Sequence, residues 1–144
     1  MEILGPLIVL VGPTASGKTD VALELAKIIN AEIISADSRQ IYKYLNIGTA
    51  KPTDAKTLKK KRKNAKREIT EPLIIREIPH YLIDIIEPDQ RYSAGKFRED
   101  AQKIIKQIYS RKKIPLLVGG TGLYIRTITD GLVELPSANY KLRE

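Results

Sequence analysis

The 144-residue chain contains no cysteine and a single histidine, His80. Without cysteine there is no disulfide, no thiolate metal site and no thiol nucleophile. Long apolar runs are also missing. The longest, residues 7–11, has the length of a strand and falls far short of the ~18 residues a membrane span requires. Gly5 and Pro6 interrupt the N-terminal region where a secretory apolar core would lie. No internal repeat is visible. With 42% hydrophobic and 29% charged residues, what remains is the composition of one globular domain, large enough to bury a core. A cytoplasmic location and no membrane partner are the expectations.

Charge is distributed unevenly. The formal net charge is +8, and residues 54–77 carry nine basic and four acidic residues, so 9 − 4 = +5 of that surplus sits in one stretch. Such a run suits an anionic partner, nucleic acid above all, or is simply a solvated loop. The remainder of the chain is only mildly basic.

Outside that stretch, apolar strand-length runs alternate with helical periodicity. Residues 7–11 read as a buried parallel strand, and a helix follows with Val21, Ala22, Leu25, Ala26, Ile28 and Ile29 on one face. Residues 32–36 form a second strand ending at Asp37, and residues 81–86 a third. A helix capped by Ser93 carries Phe97, Ala101, Ile104, Ile105 and Ile108 at three- and four-residue spacing. Residues 114–118 are another strand, broken by Gly119-Gly120-Thr121-Gly122, and residues 123–128 begin a helix that stops near Gly131. This rhythm predicts an α/β fold, a parallel sheet flanked by helices and joined by right-handed crossovers.

The strongest motif is Gly12-Pro13-Thr14-Ala15-Ser16-Gly17-Lys18-Thr19, a P-loop set between the first strand and the first helix. Its four fixed positions arise by chance in roughly one chain in 200 of this length. Glycines let backbone N–H groups converge on phosphate oxygens, and the helix N-terminus adds partial positive charge. Lys18 supplies a full charge, and the Thr19 hydroxyl can serve phosphate or Mg²⁺. The motif implies a bound di- or triphosphate, ATP being the usual one, without saying what the phosphate is attached to.

Ligands of open parallel sheets lie beyond the carboxyl ends of the strands. The P-loop, Asp37 with Ser38, and Thr121 all fall at such ends. Asp37 there can hold Mg²⁺ or act as a general base, or it can merely cap a turn. Asp84 lies within apolar residues and reads as structural, and His80 as a packing or turn residue.

These residues have a family resemblance. The P-loop, Ile34-Ser35-Ala36-Asp37-Ser38-Arg39-Gln40-Ile41-Tyr42, Asn46-Ile47-Gly48-Thr49-Ala50-Lys51-Pro52, Pro79-His80-Tyr81-Leu82-Ile83-Asp84-Ile85, Tyr92-Ser93-Ala94 and residues 117–124 occur in this order. Together they resemble the N-terminal half of the tRNA dimethylallyltransferases. The resemblance implies transfer of a dimethylallyl group from dimethylallyl diphosphate to N6 of the adenosine 3′ of the tRNA anticodon. It implies Mg²⁺ as cofactor, residues 12–19 as the diphosphate cradle and Asp37, Thr121 and Lys18 as the catalytic set. Asp37, Ser38, Arg39, Gln40 and Thr121 would meet the tRNA, and Thr19 the metal. Family members run to about twice this length, so a tRNA-gripping helical insertion and a C-terminal part are expected to be missing, or supplied by a complementing chain. The run Lys59-Lys60-Lys61-Arg62-Lys63 departs from the family as a basic insertion. A small P-loop metabolite kinase and a non-catalytic phosphate- or RNA-binding remnant are the rival expectations.

Overall fold

Three of the strands are short runs of aliphatic residues with no polar alternation, the pattern of strands covered on both faces. The computed structural model describes residues 5–13, 16–45, 49, 51–52 and 68–131. In it β1 (Ile8–Val11), β2 (Ala31–Ser35), β3 (Leu73–Ile75), β4 (Ile78–Tyr81) and β5 (Ile114–Gly119) form one sheet in the order β1-β5-β2-β4-β3. The first four strands in that order are parallel neighbours, with Ile8 opposite Leu116, Ile33 opposite Leu116 and Ile33 opposite His80. Their carboxyl ends therefore emerge at one edge.

The expected parallel sheet is present, with one antiparallel edge where β3 pairs with β4 across the two-residue turn Arg76-Glu77. Both turn residues have left-handed φ, 47° and 70°, the geometry of a tight hairpin turn that usually selects asparagine and glycine. Part of the stretch set apart as a basic insertion is thus sheet, while its lysine-rich portion, including Lys59 to Lys63, lies outside the described residues. The third strand runs over 78–81 instead of 81–86. Leu82 and Asp84 adopt left-handed φ of 61° and 54°, which turns the chain out of the sheet.

Helices cover both faces. Helix α1 (Lys18–Ile29) packs on one side, burying Ala22, Leu23 and Ala26 against Ile33 and Leu116. Val21 and Ile28 are exposed, unlike the expectation for this helix. Seven of its twelve residues are apolar, so periodicity leaves its facing ambiguous, and the two alanines permit the closest approach to the sheet. Asn30, in left-handed conformation, ends the helix with its N–H on Ala26 O.

Helix α2 (Ala94–Ser110) lies on the opposite face. Ser93 Oγ accepts from Lys96 N at 3.0 Å, and Phe97, Ala101, Ile104, Ile105 and Ile108 are buried against Ile34 and Leu117. At about 1.5–3 kcal/mol per large apolar side chain, this face is the main anchor of the layer. Helix α3 (Gly122–Thr129) adds Tyr124, Ile125 and Ile128 to the same core. No described helix is long and apolar enough to cross a membrane.

At the end of the sheet away from the strand carboxyl termini, a polar network fastens α2 to the strands. Arg111 donates from Nε to Glu32 Oε1 at 3.1 Å and from Nη2 to Oε2 at 2.7 Å, and the Tyr81 hydroxyl donates to Oε2 at 2.7 Å. Burial alone would raise the Glu32 carboxyl, but the hydrogen bonds from Arg111 and Tyr81 and the Arg111 charge hold it below 4.5. Burial and the bond to Glu32 push the Tyr81 phenol well up. Because the native carboxyl is the stronger acid, its contribution is complete above the unfolded value and is lost as pH falls through the native one. Glu32→Gln should therefore destabilise the chain by about 2 kcal/mol at neutral pH. In thermal melts from pH 7 to pH 3, the gap between wild type and variant should close at the acid end.

Candidate active site

Backbone contacts stitch together the carboxyl ends of β1, β5 and β2. Gly12 N donates to Gly119 O at 3.4 Å, Ala36 N to Val118 O at 2.8 Å and Thr121 N to Ala36 O at 3.2 Å. The packing leaves no space at Gly119, where a Cβ would stand 2.1 Å from Ala36 O. Glycine at 119 is a condition of this approach, and the three chain segments leave the sheet as one cluster.

The phosphate-type loop follows β1. Of its residues, Gly12, Pro13, Ser16, Gly17, Lys18 and Thr19 are described, whereas Thr14 and Ala15 lie outside the described residues. Gly17 caps α1 in left-handed conformation, φ 81°, and contributes no side-chain bond to the first-turn amides. Those N–H groups and the helix dipole thus point beyond the helix end. The Lys18 ammonium donates to Pro13 O at 3.1 Å. That acceptor is a neutral carbonyl, and an anionic phosphate oxygen is the stronger partner for the same ammonium.

Beside it, residues 37–40 form a turn that Asp37 itself organises. Its Oδ1 accepts from Arg39 N at 2.8 Å and from Gln40 N at 3.3 Å. Its other oxygen takes no hydrogen bond among the described residues. The capping reading and the chemical reading of Asp37 are therefore compatible, one oxygen for each. Tyr124 lies close enough to feel this charge: burial, then Tyr42 and Asp37, raise its phenol.

The other site candidates divide. Ser38 N donates to Thr121 Oγ1 at 3.0 Å, and Thr121 Oγ1 donates to Ser38 Oγ at 3.4 Å, so Thr121 braces the Asp37 turn from behind. Arg39 is exposed. Gln40 is turned inward, its Oε1 accepting from Ser35 Oγ at 2.9 Å and its Nε2 donating to Thr49 O at 3.0 Å.

Lys18, Thr19, Asp37 and Gln40 line one cleft of about 220 Å³. Thr121 does not. The remaining wall is mixed, with apolar Ala22, Ile33, Pro52 and Ile83 beside polar Ser16, Ser35 and His80. His80 is buried, as expected of a packing residue, and its Nδ1 lies 2.8 Å from Ile78 O. A carbonyl only accepts, so Nδ1 carries the proton. Sequence reasoning did not assign His80, Ile83 or Pro52 to the cleft. The available signal for His80 was register, since it lies opposite Ile33 on the α1 face of the sheet. Asp84 is structural, as read from the sequence: its Oδ1 accepts from Lys51 Nζ at 2.6 Å.

A family model described as IPP transferase matches residues 40–144. A tRNA dimethylallyltransferase of Thermodesulfovibrio yellowstonii is 45% identical over 137 residues, covering 95% of this chain and 38% of that protein. The full-length tRNA isopentenylpyrophosphate transferase of Bacillus halodurans superposes with a TM-score of 0.74 at 36% identity, over 95% of this chain and 40% of that one. A eukaryotic dimethylallyltransferase captured acting on tRNA gives a TM-score of 0.64 at 27% identity, over 94% and 31% of the two chains. The chain thus spans under half the length of these relatives.

Gly119→Ala should destabilise the protein by about 3 kcal/mol or more, because the clash is with backbone and cannot relax through a rotamer. Gly122→Ala, whose Cβ meets nothing within 4 Å, should stay within about 0.5 kcal/mol of wild type. Urea midpoints compare the two.

Proposed function

Since the chain belongs to the IPP transferase family, we propose that it carries the diphosphate and general-base half of a tRNA dimethylallyltransferase site. The observation that carries this reading is the shared cleft: Lys18, Thr19 and Asp37 line it together with Ala22, Ile33, Pro52 and Ile83. Those four side chains offer the apolar surface that a short branched hydrocarbon on a diphosphate asks for.

In the reaction, N6 of an adenosine attacks C1 of the dimethylallyl group. The new N–C bond forms as the C–O bond to diphosphate breaks, and pyrophosphate leaves with the bonding electron pair. The Asp37 oxygen not committed to the turn accepts the proton that N6 loses. Backbone N–H groups of residues 17–19 and the Lys18 ammonium stabilise the charge gathering on pyrophosphate, the electrostatic contribution that usually dominates such sites. Thr121 holds the turn through Ser38 and thereby keeps Asp37 in place.

The Thr19 hydroxyl is a hard oxygen donor of the kind Mg²⁺ takes, and the ion commonly needs only one or two such protein ligands beside phosphate oxygens. Bound there, Mg²⁺ would neutralise charge on the leaving group. The nucleic-acid partner is a tRNA anticodon loop whose target adenine leaves the stack to reach the cleft. Exposed Arg39, next to Asp37, is suited to a backbone phosphate.

Labelled dimethylallyl diphosphate, unmodified tRNA and Mg²⁺ test the reading, with the chain alone and with the C-terminal part of the T. yellowstonii enzyme added. Label should enter tRNA with the wild-type chain. Asp37→Ala should lower transfer by roughly 10²–10⁴-fold while diphosphate binding persists. Lys18→Ala should weaken diphosphate binding itself. Turnover of ATP with no label reaching tRNA under either condition overturns the proposal.

A further inference from the structure

A lysine so near a diphosphate cleft reads, on charge alone, as one more phosphate ligand. Lys51 is turned away from that task. Its side chain is 1% exposed, and its ammonium donates to Asp84 Oδ1 at 2.6 Å and to the Tyr42 carbonyl. These acceptors belong to two segments that run side by side. Asp84 N donates to Gln40 O at 3.0 Å, Ile85 N to Ile41 O at 2.9 Å and Lys43 N to Ile86 O at 2.9 Å. Lys51 crosses both segments and joins them.

What hangs on this junction is one wall of the cleft. Pro52, the next residue, lines it, and Ile83 lines it from beside Asp84. Two residues before Lys51, the Thr49 carbonyl accepts from Gln40 Nε2, and the Thr49 hydroxyl donates to Leu45 O at 2.7 Å. Among its described residues, the P-loop takes part in none of these bonds, and it joins β1 to α1.

We propose that Lys51 is a positioning residue, a clamp that holds Pro52 and Ile83 against the hydrocarbon of the substrate and takes no part in holding its diphosphate. The proposal rests on reading the cleft as a prenyl diphosphate site. A buried ion pair contributes little net stability compared with a well-packed apolar pair, whereas its directional bonds fix geometry. The Tyr42 carbonyl and the Asp84 carboxylate together define where the backbone at 51 and 52 must lie.

Two probes separate the halves of the cleft: inorganic pyrophosphate and the unreactive dimethylallyl S-thiolodiphosphate, each titrated with Mg²⁺ into the 144-residue chain by calorimetry. The wild type should bind the prenyl probe roughly tenfold more tightly. That advantage is about 1.4 kcal/mol, the burial of about two methylene groups. Lys51→Met should bind pyrophosphate within about twofold of wild type and lose the advantage of the prenyl probe, a fold-change reading of independent halves. The double variant Lys51→Met, Asp84→Leu removes both charges of the pair. It should recover the thermal midpoint, yet not the preference, a separation that a merely structural role does not produce. If both probes weaken together in the folded variants, Lys51 is a phosphate ligand and the clamp is wrong. If both variants keep the wild-type ratio, the clamp is likewise wrong. A wild type without preference for the prenyl probe sinks the cleft reading and the clamp together, an outcome distinct from either of those.

Discussion

Everything at the active edge depends on how closely β5 is allowed to approach the end of β2. Gly119 has no side chain, and only that permits Ala36 O to sit where a Cβ would be. The Ala36 carbonyl is then free to accept from Thr121 N, which starts α3 beside the Asp37 turn. Thr121 Oγ1 in turn receives Ser38 N. One missing methyl group thus sets the spacing between the turn that carries the carboxylate and the helix that braces it. The P-loop joins the same cluster through Gly12 and Gly119.

The elements that were legible in the sequence are those where a local rule and tertiary packing agree. Helix α2 has a serine cap and one continuous apolar stripe, and both act as the pattern implies. β5 and the P-loop are marked by aliphatic runs ending in glycine. Legibility failed where tertiary packing overrides local preference. The β3–β4 turn uses Arg76 and Glu77 at left-handed φ, so no Asn-Gly pair announces it. Residues 81–86 look like a strand because they are apolar, but Leu82 and Ile83 are buried as the chain bends away from the sheet. Helix α1 carries more apolar residues than one face can hold.

The site shows the same division. Lys18, Thr19 and Asp37 could be nominated because phosphate binding and strand-end position demand particular residue types at particular places. Gln40 was named only as part of the segment that would meet tRNA, and its amide bonds to Ser35 and Thr49 were not anticipated. Nothing in the one-dimensional order says that a side chain three residues after Asp37 should close a loop nine residues later. His80, Pro52 and Ile83 entered the cleft through strand register and a long-range ion pair, neither of which leaves a motif. Spacing alone left open what the phosphate is attached to, and only the family resemblance suggested an alkyl donor.

The two sides of the cleft are made of different material. One is strand and helix: β2, only five residues or about 16 Å long, is pinned by Glu32 near its start and leads directly into the Asp37 turn at its finish. The other includes Pro52, whose neighbour Lys51 is joined by side-chain bonds to the Tyr42 carbonyl and to Asp84. Substitutions on the first side disturb the whole domain, whereas those on the second touch a few contacts. A change in the wall at Pro52 should accordingly reshape one side of the cleft while Lys18, Thr19 and Asp37 keep their places.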